Sequence, residues 1–286
     1  MEHSFCYKLK NGTREGKEVD FGENKTIIIA RRYSPHNAGH LFCETVIPIE
    51  YIFNKNNIKK ENRIILFDDD VNDNSIFWFE GESKKLRDKT QELSNDFFPP
   101  MCHTVIFNIR KYLKDNYGDK GYVKFKNNIL LGINKISPWD SNLWINNKID
   151  FSLDTYVNNL YEYYRIKDIE KNTVTFFYKK GRRSVLNHKE VSIFLKKYSE
   201  KNNMDFQYHN LQDITFRDQL NILSKTKILI TIGGSTSFSC YLAPTNIKFI
   251  YLPIYDNHFE HELFRKNKNK KFNLIVYPYE SLLKNM

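Results

Sequence analysis

Short runs of apolar, β-branched residues alternate along the chain with longer stretches whose apolar positions recur at helical spacing. The runs TIIIA at 26–30, RIILF at 63–67 and HTVIFNI at 103–109 read as buried strands. A parallel strand covered on both faces needs this kind of continuous apolar run. Helical patterns begin near His40 and near Lys84. After a Trp- and Asn-rich region at 136–147, residues 150–165 read as a long helix carrying Phe151, Tyr156, Leu160, Tyr163 and Tyr164. A second series follows, with strands at 173–178, 205–208, 227–232 and 248–252 and helices at 188–199 and 216–225. The last residues, LIVYPYESLLKNM, predict one more strand and a helix that packs back on the first domain.

Strand and helix alternating in this way imply α/β architecture, with parallel sheets and right-handed crossovers. Two such series predict two Rossmann-like domains whose parallel sheets face a cleft. The expected division is 1–150, 151–272 and a returning carboxyl-terminal segment 273–286.

Composition narrows the class. Hydrophobic residues make up 41% of the 286 and aromatic residues 15%, which argues for a folded chain with a sizeable core. No run approaches the roughly 18–20 apolar residues of a membrane helix, and the amino end lacks the apolar segment of a signal peptide. The reading is a cytoplasmic protein without an integral membrane segment. Cys6, Cys43, Cys102 and Cys240 form no C-x-x-C pair, so reduced thiols are expected rather than a zinc cluster or a disulfide framework. A net charge of +10 favours an anionic partner. The densest basic run, 265–271, reads as a solvated loop, and no nucleic-acid-binding motif accompanies it.

Three segments carry candidate chemistry. In KILITIGGSTSFSCYLAP a strand ends at Gly233 and Gly234 and opens into a helix-like run. Unpaired backbone N–H groups and the positive end of the helix dipole would then face an anion, with the hydroxyls of Ser235, Thr236 and Ser237 as further donors. The same residues also fit a tight turn with Ser235 as N-cap. The spacing matches neither G-x-G-x-x-G nor a Walker loop. In FFYKKGRRSVLNHKEV a strand runs into a turn with Lys179, Lys180, Arg182 and Arg183, where arginine forks suit a diphosphate or simply meet solvent. In SPHNAGHLFCETVIP, His36 and Asn37 precede a helix on which His40 and Glu44, four residues apart, share a face. That imidazole and carboxylate could take the proton of an acceptor hydroxyl, or form an ordinary surface pair.

Taken together these residues resemble glycosyltransferase family 61. The pattern is H-x-x-x-E-x-x-x-P after an Asn, R-R-x-x-x-N-x-x-E-V, Gln219 in a helix, and a strand ending at a glycine turn before Y-L-A-P. The likeness spans roughly 33–255 and is clearest over 176–253. It implies a GT-B pair of domains, a UDP-linked nucleotide-sugar donor in the carboxyl-terminal half, a glycan or glycoprotein acceptor on the amino-terminal half, and inversion at the anomeric carbon. It places Arg183 and Asn187 on the family's R-x-x-x-N pattern, Gly233 to Ser235 on its glycine turn, and His40 and Glu44 on its His/acid pattern. Arg182, Gly234, Thr236 and Ser237 join the expected donor site, and His36 and Asn37 the acceptor site. Where the family usually carries His-Gly-Ala, this chain has Gly-Gly-Ser.

Two alternatives share the sequence. Asp68, Asp69 and Asp70 at a strand end resemble the D-x-D of GT-A enzymes, whose carboxylates hold Mn²⁺ or Mg²⁺. Only about one strand precedes them, whereas a GT-A nucleotide-binding region supplies several, so the favoured reading is an exposed acidic turn, with no metal required and Mn²⁺ or Mg²⁺ left open. The other alternative is a non-catalytic carbohydrate-binding protein on the same fold. Trp139, Trp144 and Tyr33 are further candidates to stack on a sugar or base.

Overall fold

The computed structural model describes residues 18–32, 35–68, 83–118, 122–123, 130–133, 153–167, 169–180, 187–244, 246–252 and 272–276. The chain divides into two units, Met1–Asp140 and Ser141–Met286.

In the first unit, β2 (Thr26–Ala30) and β3 (Arg63–Phe67) pair in parallel, with β4 (Thr104–Ile106) and β6 (Leu130–Ile133) outside them, giving the four-strand order β4-β3-β2-β6. Ile28 sits opposite both Ile65 and Leu131. β3 is buried along its whole length, as expected of a strand inside a parallel sheet. β1 (Glu18–Val19) and β5 (Tyr122–Val123) form a separate two-stranded parallel sheet. The strand expected at 103–109 stops at Ile106 because Asn108 takes a left-handed φ of 55° and caps α4 (Ile109–Tyr117), its Oδ1 accepting from the Lys111 amide at 3.0 Å. α4 packs on the face built from Ile27, Ile64, Leu66 and Ile106. The helical stretch α1 (Ala38–Leu41), a π-helical turn (Phe42–Val46) and α2 (Ile47–Lys55) joins β2 to β3, and α3 (Ser83–Phe97) leads toward β4.

The second unit starts with α5 (Asp154–Tyr163), shorter than the helix expected at 150–165. It continues β7 (Thr173–Tyr178), α6 (His188–Lys201), β8 (Asp205–Asn210), α7 (Phe216–Ser224), β9 (Thr226–Ile232), a 3₁₀ segment (Ser235–Leu242), β10 (Ile247–Leu252) and β11 (Phe272–Val276). All five strands are parallel, in the order β11-β10-β9-β7-β8. The strand expected near the carboxyl end is thus β11 of this sheet; 277–286, where the returning helix was expected, lie outside the described residues. α6 covers one face, with Val191 and Leu195 against Val174, Phe176, Ile228 and Ile230. On the opposite face Thr175 reaches Thr226 Oγ1 at 2.8 Å, and Thr226 donates to the Ile222 carbonyl of α7. The Tyr161 hydroxyl ties α5 to that same layer through the carbonyls of Leu220 and Leu242. Parallel α/β architecture is therefore what the chain adopts.

One buried ion pair locks the first unit. Arg63 Nη1 donates to Glu50 Oε2 at 2.9 Å and to the Met101 carbonyl, Nε to the Ile58 carbonyl and Nη2 to Asn54, with the guanidinium over the Phe53 ring. Burial pushes the Glu50 carboxyl up, against the pull of Arg63. Arg63→Met leaves that carboxyl without its cation and is expected to cost about 3–5 kcal/mol in urea unfolding, whereas Glu50→Gln/Arg63→Met regains most of it. A single variant as stable as the parent would contradict this role.

Candidate active site

The helix at 38–55 starts where β2 leaves the first sheet. Asn37 Oδ1 accepts from the Gly39 amide at 3.0 Å, and the Asn37 carbonyl takes the Leu41 amide, so Asn37 caps this helix. The helix then loosens over Phe42–Val46, where the Ile47 amide reaches back five residues to the Phe42 carbonyl. Pro48 supplies the physical reason: it has no N–H to give the Glu44 carbonyl, and its ring crowds that carbonyl. Within this stretch His40 Nδ1 lies 3.0 Å from Glu44 Oε1, with the imidazole 17% and the carboxylate 5% exposed. In the tautomer that donates to this carboxylate, the imidazole proton is carried on Nδ1. His36 lies close enough for the His40 charge to act on it. Burial first, and then His40, hold its imidazole below the ordinary histidine range.

Beside this segment the buried guanidinium of Arg32 lies against the stacked pair Phe67 and Phe107, 5.0 and 5.1 Å from the two ring centroids, and donates to Ser94 Oγ at 2.8 Å. In the sequence Arg31 and Arg32 are indistinguishable from surface charge. Asp68, at the end of β3, pairs with Arg110 Nε at 2.9 Å. Asp69 and Asp70 lie outside the described residues, as do Tyr33, Trp139 and Trp144. Among the described residues no group of three His, Cys, Asp or Glu side chains is placed to hold a metal ion.

In the second unit the strand order reverses between β7 and β9. β7 is followed in sequence by β8 on one side, and β9 by β10 on the other. In open parallel sheets such a reversal leaves a crevice at the carboxyl ends of the two strands, which is where ligands bind. The turn after β9 has a specific construction. Gly233 N continues the ladder to the Leu252 carbonyl at 3.0 Å. Gly234 takes φ 98°, which favours glycine, and it rather than Ser235 precedes the helical segment. The Ser237 amide and hydroxyl both return to the Gly234 carbonyl, at 2.9 and 2.7 Å, and Thr236 and Ser237 are buried. The Ser235 and Thr236 amides stand at the first helical positions, where no intrahelical acceptor exists, and Ser235 is half-buried. The amides that helix geometry leaves without an intrahelical acceptor are thus fewer than the five residues the sequence suggests.

Across the reversal, Asn187 precedes α6 without capping it through its side chain. Arg182 and Arg183 lie outside the described residues. The described residues on either side of 181–186 make polar contacts. Lys180 Nζ pairs with Asp213 at 3.2 Å on one side. On the other, His188 stacks on Tyr178 and its Nδ1 shares a hydrogen bond with the Tyr208 hydroxyl. Tyr208 in turn stacks on Tyr178 at 4.4 Å, and burial together with Tyr178 pushes its hydroxyl up to about 12. No local spacing signals this trio. Gln219 braces the turn after β8 through the Leu211 and Ile214 carbonyls.

The histidines set a pH dependence. Burial lowers both His36 and His209, so the unfolded chain binds protons more readily than the folded one as pH falls past the ordinary histidine value. Stability is therefore expected to be lower at about pH 5.5 than at about pH 7.5, and His36→Gln to shrink the difference, in urea midpoints taken at both values. Equal midpoints would contradict the assigned burial.

The model of the family described as glycosyltransferase 61 matches residues 38–250, from the first residue of α1 into β10, and so includes His40, Glu44, Arg182, Arg183, Asn187 and the Gly233 turn. No curated protein matches the chain in sequence. The match spans well over half the chain, and the chain accordingly belongs to glycosyltransferase family 61 and is a glycosyltransferase.

Proposed function

We propose that the chain is an inverting transferase with a GT-B pair of Rossmann-like domains, moving a sugar from a UDP-linked donor to a hydroxyl of a glycan or glycoprotein. The observation that carries this reading is the β7/β9 reversal, which sets the glycine turn beside the strand that leads into Arg182 and Arg183. The donor diphosphate rests on the amides of Ser235 and Thr236, the helix dipole and the two guanidinium groups, with Asn187 as a further polar contact. Ser237 and Gly233 shape the turn and do not touch the ligand through the groups engaged above.

His40 acts as the base. The acceptor oxygen attacks the anomeric carbon on the face opposite the diphosphate, the bond from that carbon to the diphosphate oxygen breaks, and the acceptor proton passes to His40 Nε2. Glu44, almost closed to solvent, holds the imidazole in the required tautomer and stabilises its charged form. His36 and Asn37 border the acceptor side. The leaving charge is met by protein donors, so the reaction needs no divalent cation. The reading is of a cytoplasmic enzyme.

The test is a thermal-shift comparison of UDP, GDP and CMP with and without Mn²⁺, followed by transfer assays. UDP alone is expected to stabilise, by about 2.7 kcal/mol at a hundredfold excess over Kd. The shift is independent of Mn²⁺ and disappears in Arg183→Ala. Glu44→Gln keeps the UDP shift but lowers kcat by about a hundredfold or more. No nucleotide shift, or Glu44→Gln with parental kcat, would overturn the assignment.

A further inference from the structure

α6 carries a surface that neither the donor site nor the sheet uses. Its inward positions, Val191 and Leu195, pack on the β7 and β9 side chains, and Ser199 turns back to the Leu195 carbonyl. On the other side Phe194 is 68%, Ile193 57% and Tyr198 40% exposed. Phe194 and Tyr198 stand one turn apart, Ile193 is one turn from Lys197, and Glu190 is one turn from both Ile193 and Phe194, so these apolar groups share the outward half of the helix with several lysines and a glutamate. An exposed apolar cluster of this kind marks a contact surface rather than an ordinary helix exterior.

The charge pattern selects its occupant. α6 contains four lysines and two glutamates. A second copy docking face to face would oppose net positive charge to itself, whereas an anionic surface would meet it. Lysine stems lie along apolar surface while their ammonium groups reach the headgroups, and Tyr is suited to the level between. The chain as a whole, at +10, adds long-range attraction of the same sign.

We infer that the outer face of α6 docks the protein onto bilayers bearing anionic lipid headgroups, with Ile193 and Phe194 entering the headgroup boundary and Lys189, Lys196 and Lys197 around them. Contact of this kind is peripheral. Among the described residues no helix is long and apolar enough to cross a membrane. The inference stands apart from the assignment of donor and acceptor.

The experiment is co-sedimentation of the full chain with vesicles of neutral phosphatidylcholine, and with the same vesicles containing about one-third phosphatidylglycerol, at low and high salt. Binding is expected to the anionic vesicles only, and to weaken as salt rises. Ile193→Ser/Phe194→Ser should lower the partition coefficient by about tenfold or more, since both side chains leave water on binding. Both are exposed, so circular dichroism and Tm should match the parent. Lys196→Glu/Lys197→Glu provides a second variant and should abolish binding. Equal binding to neutral vesicles, no binding to anionic ones, or undiminished binding by both variants would overturn the inference. So would a concentration-dependent dimer that disappears in Ile193→Ser/Phe194→Ser while vesicle binding is absent, which would assign the face to a second copy.

Discussion

Parallel strands cannot be joined by a tight turn. Each connection must travel the length of the sheet, and where the strand order reverses, two connections leave neighbouring carboxyl ends in opposite directions. In the second unit that constraint operates at β7 and β9. It opens the sheet edge there, and everything locally polar is built around it. Gly234 turns the chain at a φ of 98°, the Gly233 amide stays with the ladder, and Ser237 closes on the Gly234 carbonyl. The first helical amides remain at the edge. The Tyr178–Tyr208–His188 stack anchors the far end of the other connection. The first sheet follows the same rule, since the segment with His36, Asn37 and His40 begins at the carboxyl end of β2, beside which the order also reverses.

Much of this architecture was legible in the sequence because buried parallel strands leave unbroken apolar runs. β2, β3, β7 and β9 follow from TIIIA, RIILF, TVTFFY and TKILITI. The misses have local causes. β4 is cut short by Asn108, whose side chain caps α4 as readily as it would follow a strand. The run after Gly234 winds as 3₁₀ rather than α because Ser237 and Ser239 each bond back three residues, to the carbonyls of Gly234 and Thr236. β1, β5 and β6 depend on pairings between distant segments that no local pattern announces.

The site divides in the same way. The spacing of His40 and Glu44 was readable, since side chains four apart on a helix meet. The near-closure of Glu44 and the π-helical turn that Pro48 brings were not, although Pro48 is visible in the sequence. Arg32 is the clearest loss. Its burial against Phe67 and Phe107 needs segments distant in the chain to be in place before it has any meaning. The trio at the start of α6 is lost for the same reason, its members coming from two strands and a helix. In each unit aromatic rings hold the segment next to the candidate residues, so positional precision comes from core-like packing at the sheet edge.

The most direct test is hydrogen exchange of the full chain with and without UDP, followed peptide by peptide. The account predicts slower exchange over 231–237 and over 181–188, with little change on the α7 face of the same sheet. Protection confined to the first unit, or an unchanged pattern around Gly234 at saturating UDP, would contradict it.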